Sequence, residues 1–399
     1  MEIVGSVKNY EWGKLGLDSE VAQLAKLNSE DVQVDDSTPY AELWMGDHPS
    51  GPSTLKSTGS SLAEILSRSD EKLIGDHTKL SFLFKVLSIR KALSIQIHPN
   101  KEEAEKLHAS APDIYKDSNH KPELAIALTP FLALCGFRPY KEIHDVCQQI
   151  TPIKDLIGHE LVKNLANNGY EALKECYSKL MAVDADNIKR SIEKIRLENR
   201  KELQLLELDS LFNRLNDDFP NDVGVLSIFF LNVIELNEGQ AIFLPANEPH
   251  AYLEGNCIEC MACSDNVIRA GLTPKFKDVS TLLRMVNYKS GSSSSKLFQP
   301  KILDKYTELF APSVEDFAVI KICIPPTEPQ YILKNKGNGA ILLVLKGQSV
   351  LSPGTLPSLS LKRGSIVFIP GNCGDLRFDL TDNKSEYFVA YQAMPNCYQ

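Results

Sequence analysis

Several kinds of chemistry are packed between His250 and Lys275: a metal-capable imidazole at His250, an acid/base carboxylate at Glu259, a guanidinium at Arg269 and a second cation at Lys275. A plain binding surface needs no such mixture, whereas a site that moves a proton on a phosphorylated substrate does. The Ala270-Gly271 and Thr273-Pro274 pairs fix a turn within the same run. A second constellation lies earlier in the chain. Gln96 and His98 end an apolar, β-compatible run, and residues i and i+2 of a strand face one side. Glu123 follows, and His250 would return from an opposite strand. Two imidazoles, a carboxylate and a neutral amide oxygen make a zinc site with room for water or a sugar hydroxyl. The remaining histidines, His48, His77, His108, His144 and His159, are read as structural.

The formal net charge of −9 argues against nucleic acid and anionic membranes as partners. An anionic small molecule would then need a local basic pocket, for which Lys121, Arg269, Lys275 and Lys85 are the candidates. No apolar run reaches the roughly 18 to 20 residues of a membrane helix, and the first residues lack a signal-peptide pattern. A cytoplasmic location is expected. The nine cysteines are scattered and odd in number, without a disulfide framework. Cys257, Cys260 and Cys263 mimic part of an iron–sulfur motif, but on a strand Cys260 faces away from the other two. They are read as buried small hydrophobes.

These residues must be positioned by elements whose periodicity changes along the chain. The first 60 or so residues, with short apolar pieces around Tyr40 to Met45, read as strands and loops. Ser61 to Leu73 reads as a short helix, Phe82 to Ile97 and Ala125 to Phe137 as strands. Asn100, with Glu103 three residues on, predicts a helix over Lys101 to His108. From 141 to 221 the spacing becomes helical, as in Ile188, Ile192 and Ile195, and in Leu205, Leu208, Phe212 and Leu215. This stretch reads as a helical module inserted between β regions.

An internal repeat organises the rest. Gly239 to Ala246 aligns with Gly364 to Gly371 as glycine, apolar strand, proline and a small residue. The repeat predicts two related jelly-roll or cupin barrels. His250 follows Pro245 by five residues, whereas Asp375 holds that place after Pro370, and no histidine occurs after His250. A histidine-based metal site therefore belongs to the first barrel. The expected fold is mainly β with a helical insertion: a discontinuous catalytic cupin over 1–140 and 222–295, a helical domain over 141–221, and a metal-free cupin over 296–399. The serine-rich stretch Ser290 to Ser295 is the expected linker.

The segment Tyr115 to Phe131, in which His120, Lys121 and Pro122 precede Glu123, and the 250–275 run together resemble type I mannose-6-phosphate isomerase (phosphomannose isomerase). Trp12-Gly13, Ala41 to Gly46 and Phe82 to Leu87 carry the same resemblance. The resemblance implies the three-part architecture and one zinc per chain, held by Gln96, His98, Glu123 and His250, with Arg269 in the active site. It implies interconversion of mannose 6-phosphate and fructose 6-phosphate through an enediol, supplying GDP-mannose synthesis, by an enzyme expected to be monomeric. Such a reaction needs a base, for which Lys121 and Glu259 compete. Arg269 would clamp phosphate or stabilise the enediolate, being a poor base. Lys275 and Ser94 are further phosphate candidates, His120 a candidate for ring opening, and Asp265 and Tyr252 candidates for sugar hydroxyls. Two other readings fit part of the set: a non-catalytic sugar-phosphate-binding cupin, and an iron-dependent oxygenase on a cupin scaffold. The glutamine ligand and the cationic pocket favour zinc and a phosphosugar.

Overall fold

The computed structural model describes residues 1–68, 72–75, 77–166, 168–380 and 386–398. The candidate site rests on β1 (Glu42–Met45), β2 (Phe82–Ile89), β3 (Ile95–Ile97), β4 (Glu123–Ala127), β5 (Phe131–Phe137), β6 (Ala241–Leu244), β7 (His250–Ala262) and β8 (Ile268–Gly271). The longest of these, β7, ties them together. Its first residues pair with β5 (Leu134 opposite Ala251) and β3 (Gln96 opposite His250). Its later residues pair with β2 (Lys85 opposite Glu259) and β4 (Glu123 opposite Met261). One strand thus runs through both sheets of a barrel and must turn a corner between them. Gly255 is that corner: its φ is +114°, and a Cβ there would lie 2.6 Å from the Pro130 carbonyl oxygen.

Alternation along β7 then sorts its side chains. Cys257 packs inside the barrel with Leu87, Ala125 and Tyr252, while Ile258 and Cys260 face outward. Cys257 and Cys260 are thus buried in different apolar layers, Cys263 is only partly buried against Trp44, Leu83 and Met261, and none of the three forms a disulfide. Both outer faces of the barrel are covered. On one, Phe82, Phe84 and Val86 pack with Val319, Ile341, Leu343 and Tyr391 of the C-terminal barrel. On the other, Ile95, Ile97 and Ile268 pack with Ile153, Leu173, Ile192 and Phe212 of the helical module. Apolar burial on two outer faces fixes the sheets, so the interior is free to carry polar groups.

Among the described residues, seven helices run from Tyr140–Gln149 to Asp209–Asp218. Ile188, Ile192 and Ile195 form the buried face of the helix Ala185–Glu198. The Leu205 to Leu215 spacing does not describe one helix. Arg200–Leu205 ends there, Glu207 takes a φ of +57°, and the next helix begins at Asp209. Leu205 is consequently exposed, while Leu208, Phe212 and Leu215 are buried. Asn100 caps the helix Lys101–Ser110, accepting from the Glu103 amide at 2.9 Å. The helix expected over Ser61 to Leu73 is Leu62–Arg68, and residues 69–71 lie outside those described.

The repeat is a repeat of geometry. Gly239 and Gly364 both have a φ of +86°, and each turn opens a strand, β6 or β9 (Ile366–Ile369), that stops before a proline. The serine-rich connection is not a loose linker. The Asn232 side-chain amide donates to the carbonyls of Cys135, Gly136, Phe137 and Gly291, and the Gly291 amide donates to Phe137 at 3.0 Å. Backbone groups in this segment have protein partners rather than solvent, so composition alone misjudged its freedom.

Candidate active site and metal centre

Register across β7, β3 and β8 places His250, Gln96 and Arg269 side by side, because His250 and Arg269 are both cross-strand partners of Gln96. His98, two residues along from Gln96, faces the same way. The imidazole Nε2 atoms of His98 and His250 lie 3.3 and 3.4 Å from the two oxygens of Glu123, and all three side chains are buried. Each ring presents Nδ1 to a backbone carbonyl, His98 to Asn266 at 2.7 Å and His250 to Glu248 at 2.9 Å. A carbonyl there requires an N–H on Nδ1, which leaves both Nε2 lone pairs aimed at Glu123. Burial pushes His98 down to about 4, so the ring is neutral near pH 7. Burial alone would raise Glu123, but His98, Lys121 and His250 hold it well below the usual carboxylate range. Its Oε2 is buried without a hydrogen-bond partner. Two imidazoles with Nδ1 held by backbone carbonyls and an anionic, under-satisfied carboxylate fit a divalent cation, and their ligand atoms all lie within 4.8 Å of one another.

Gln96 stands beside these ligand atoms. Its amide nitrogen lies 3.5 and 3.4 Å from the two Nε2 atoms, while its oxygen accepts from the Ser94 hydroxyl at 3.0 Å. A half-turn of the amide exchanges oxygen for nitrogen, so the same residue can satisfy bare imidazoles or offer a ligand oxygen.

Gln96, Lys121 and Glu123 border a cavity of about 580 Å³, large enough for a small polar ligand. A buried charge network forms another wall. The Lys85 ammonium lies 2.9 Å from Glu259 and 3.4 Å from Glu42, and the Trp44 indole N–H donates to Glu42. The register explains it: Trp44, Lys85 and Glu259 are successive cross-strand neighbours on β1, β2 and β7. Burial raises the Glu259 carboxyl, Lys85 pulls it down, and Glu123 and Glu42 push it up again, for a net rise. Burial would lower Lys85, but Glu259 and Glu42 more than reverse this and raise it. The Tyr252 hydroxyl is buried without a hydrogen-bond partner, and burial, then the charge of Glu259, raises it well above the ordinary phenol range.

The cationic side of the cavity is built differently. Arg269 borders it with no salt bridge or side-chain hydrogen bond among the described residues, and partial burial lowers its pKa. Lys275 borders it from an exposed loop, and Lys91 stands 4.8 Å over the Phe219 ring. An unpaired guanidinium at a cavity wall is a ready anion partner.

Of the residues expected from sequence, Ser94, Gln96, Lys121, Glu123, Tyr252, Glu259, Asp265, Arg269 and Lys275 meet at this cavity. Lys85 meets it too, but as the partner of two carboxylates rather than as a free cation. His120 is placed elsewhere: it contacts Asp316 of the C-terminal barrel at 2.9 Å and takes no part in the cavity wall. His48 stacks edge-on with Trp44, and His108, His144 and His159 have ordinary local partners. Sequence reasoning missed Glu42, Lys91 and Phe219. A carboxylate alternating with a tryptophan in an apolar strand was the available signal for Glu42; Phe219, at the end of a helix, left none.

Residues 1–140 match the catalytic-domain model of type I phosphomannose isomerases, and residues 151–231 match the helical insertion domain model of the same family. The chain is 42% identical to the mannose-6-phosphate isomerase of Rattus norvegicus, covering 92% of each chain. It is 41% identical to that of Schizosaccharomyces pombe, covering 97% of each. Among solved structures it is similar to a zinc-bound mannose 6-phosphate isomerase, with 30% identity, a TM-score of 0.85 and 99% of each chain covered. The apo form from Salmonella typhimurium gives 30% identity and a TM-score of 0.84 over 99% of this chain and 98% of that one.

Proposed function

The chain belongs to the type I phosphomannose isomerases, and on that premise we propose how its own residues interconvert mannose 6-phosphate and fructose 6-phosphate. Gln96, His98, Glu123 and His250 would hold one zinc ion. The observation that carries this reading is that one cavity is bordered by Glu123 of the His98–Glu123–His250 cluster, by a buried Glu259 of raised pKa and by Arg269, which has no ion pair among the described residues. When bound there, zinc would supply Lewis acidity toward the sugar oxygens.

Glu259 is the general base. Its raised carboxyl lies closer to neutrality than an ordinary glutamate, which suits proton exchange with a weak carbon acid. It accepts the C2 proton of the open-chain aldose, the C2 hydroxyl proton passes to the C1 oxygen, and the proton held on Glu259 is delivered to C1 as the ketose forms. Lys85 favours the anionic form of Glu259 before the C2 proton arrives and after it has left for C1. Lys121, 3.4 Å from Glu123 at the cavity wall, supplies a cation to stabilise developing enediolate charge. Arg269, Lys275 and Ser94 receive the phosphate, while Tyr252 and Asp265 take sugar hydroxyls. On this reading the enzyme acts as a monomer. Nine unpaired cysteines are in keeping with a reducing, cytoplasmic setting. There the reaction would supply mannose 6-phosphate for GDP-mannose synthesis. The test is an assay of fructose 6-phosphate formation before chelation, after chelation and after zinc is restored. Activity should vanish and return; full activity in metal-free protein would refute the zinc assignment.

A further inference from the structure

Asp222 lies where the helical module rejoins the barrel, and it does not border the cavity. Its carboxylate is nevertheless fully used. Oδ1 accepts from the Gly224 amide at 2.7 Å, inside the turn that Asp222 caps, and from the Leu272 amide, also at 2.7 Å. Oδ2 pairs with the Lys277 ammonium at 3.1 Å. Two of the three donors therefore belong to the loop that follows β8. Leu272 there has a φ of +53°, a left-handed backbone that a leucine keeps only when neighbours impose it.

The backbones meet as closely as the hydrogen bonds suggest. A Cβ on Gly271 would fall 2.7 Å from Gly224 Cα, and one on Gly224 would fall 2.6 Å from the Leu272 nitrogen. Further along, Thr273 Oγ1 accepts from the Lys275 amide at 3.1 Å, and the Asp278 amide donates to the Arg269 carbonyl at 3.1 Å. The loop from Leu272 to Asp278 is thus tied at both ends. Arg269 and Lys275, two cavity cations without an ion pair among the described residues, bracket the end that Asp222 holds. Phe219, three residues before Asp222, adds a wall beneath Lys91.

We propose that Asp222 is a positioning residue for phosphate recognition: by clamping the Leu272–Lys277 loop onto the end of the helical module, it fixes Arg269 and Lys275 for the substrate's dianion. The inference rests on the isomerase reading above and deepens it. A rim held in one geometry binds a phosphate without first having to order the loop.

The experiment compares the wild-type enzyme with Asp222→Ala and Asp222→Asn, each with metal content measured. Asp222→Ala removes all three contacts and should raise KM for mannose 6-phosphate by about tenfold or more, with kcat changed by less than about threefold. Inhibition by inorganic phosphate should weaken in parallel, and zinc content should stay at the wild-type level. Asp222→Asn keeps an oxygen for the two amides and loses only the charge opposite Lys277. It should raise KM by about two- to fivefold and weaken phosphate inhibition to match. If Asp222→Ala fails to fold, Asp222→Asn decides alone. Wild-type KM and phosphate inhibition in the folded variants would overturn the proposal, as would a loss confined to kcat or to zinc. A wild-type protein that fails to interconvert the two sugar phosphates would overturn the functional reading instead.

Discussion

Gly239 and Gly364 turn the chain through the same φ, and the strands that follow end at Pro245 and Pro370. Beyond the prolines the two barrels part. After Pro245 the chain enters β7 with His250, buried beside Gln96 and Glu123. After Pro370 it reaches Asp375, a surface carboxylate paired with Lys334 at 2.6 Å. The interiors differ in the same way. The first barrel lines its inside with alanines and cysteines among larger side chains, leaving space for Lys85, Glu123 and Glu259. The second fills its inside with Ile320, Leu342, Val344, Leu351, Phe378 and Phe388. A duplicated β framework therefore tolerates two uses. Where branched and aromatic residues fill the interior it stabilises, and where small residues leave room it can carry charge. The second barrel still serves the first by burying the outer face of β2, and the apolar face it covers would otherwise be exposed.

The largest effect that would sharpen this contrast is at Arg269. Arg269→Ala should leave metal bound while raising KM for mannose 6-phosphate and lowering turnover, a combined loss in kcat/KM of about two to four orders of magnitude, the scale of losing a key charge partner of the substrate. Arg269→Lys should rescue poorly, because a point charge does not reproduce a planar fork. Steady-state kinetics with metal analysis checks both, and near-normal turnover in the alanine variant would move the role elsewhere.

Lys85 comes next. Lys85→Met would leave Glu42 and Glu259 buried without their shared cation, at a cost of about 3–5 kcal/mol in denaturant unfolding. The pH profile gives the sign. Lys85 lowers the Glu259 carboxyl, so its removal lets that carboxyl rise further. The base must be ionised to act, so the acid limb of kcat/KM should move to higher pH in the variant. An unmoved limb would remove Glu259 from the role of base. The smallest effect belongs to the second barrel: Asp375→Ala should leave turnover and zinc content near wild type. A folded, zinc-loaded but inactive Asp375 variant would break the contrast.

Much of this was legible in the sequence because strand alternation is a strict rule. Gln96 and His98 had to share a face, Cys260 had to oppose Cys257, and the glycine–strand–proline repeat had to recur as geometry. What escaped needed register or tertiary contact. Nothing local to Lys85 reveals that Glu42 and Glu259 flank it across two strand pairings. His120 sits three residues from Glu123, yet its ring turns to Asp316 at the other barrel. The Leu205 run kept helical spacing through a left-handed residue that breaks the helix. Spacing records which face a residue takes on a regular element, and says nothing of where that element stops.

The claim that one barrel holds the metal and the chemistry is tested most directly by elemental analysis of purified His250→Ala and Asp375→Ala proteins, each assayed for fructose 6-phosphate formation. The account predicts that His250→Ala loses zinc and activity together, while Asp375→Ala keeps one zinc per chain and wild-type turnover. Full zinc occupancy in His250→Ala would contradict it.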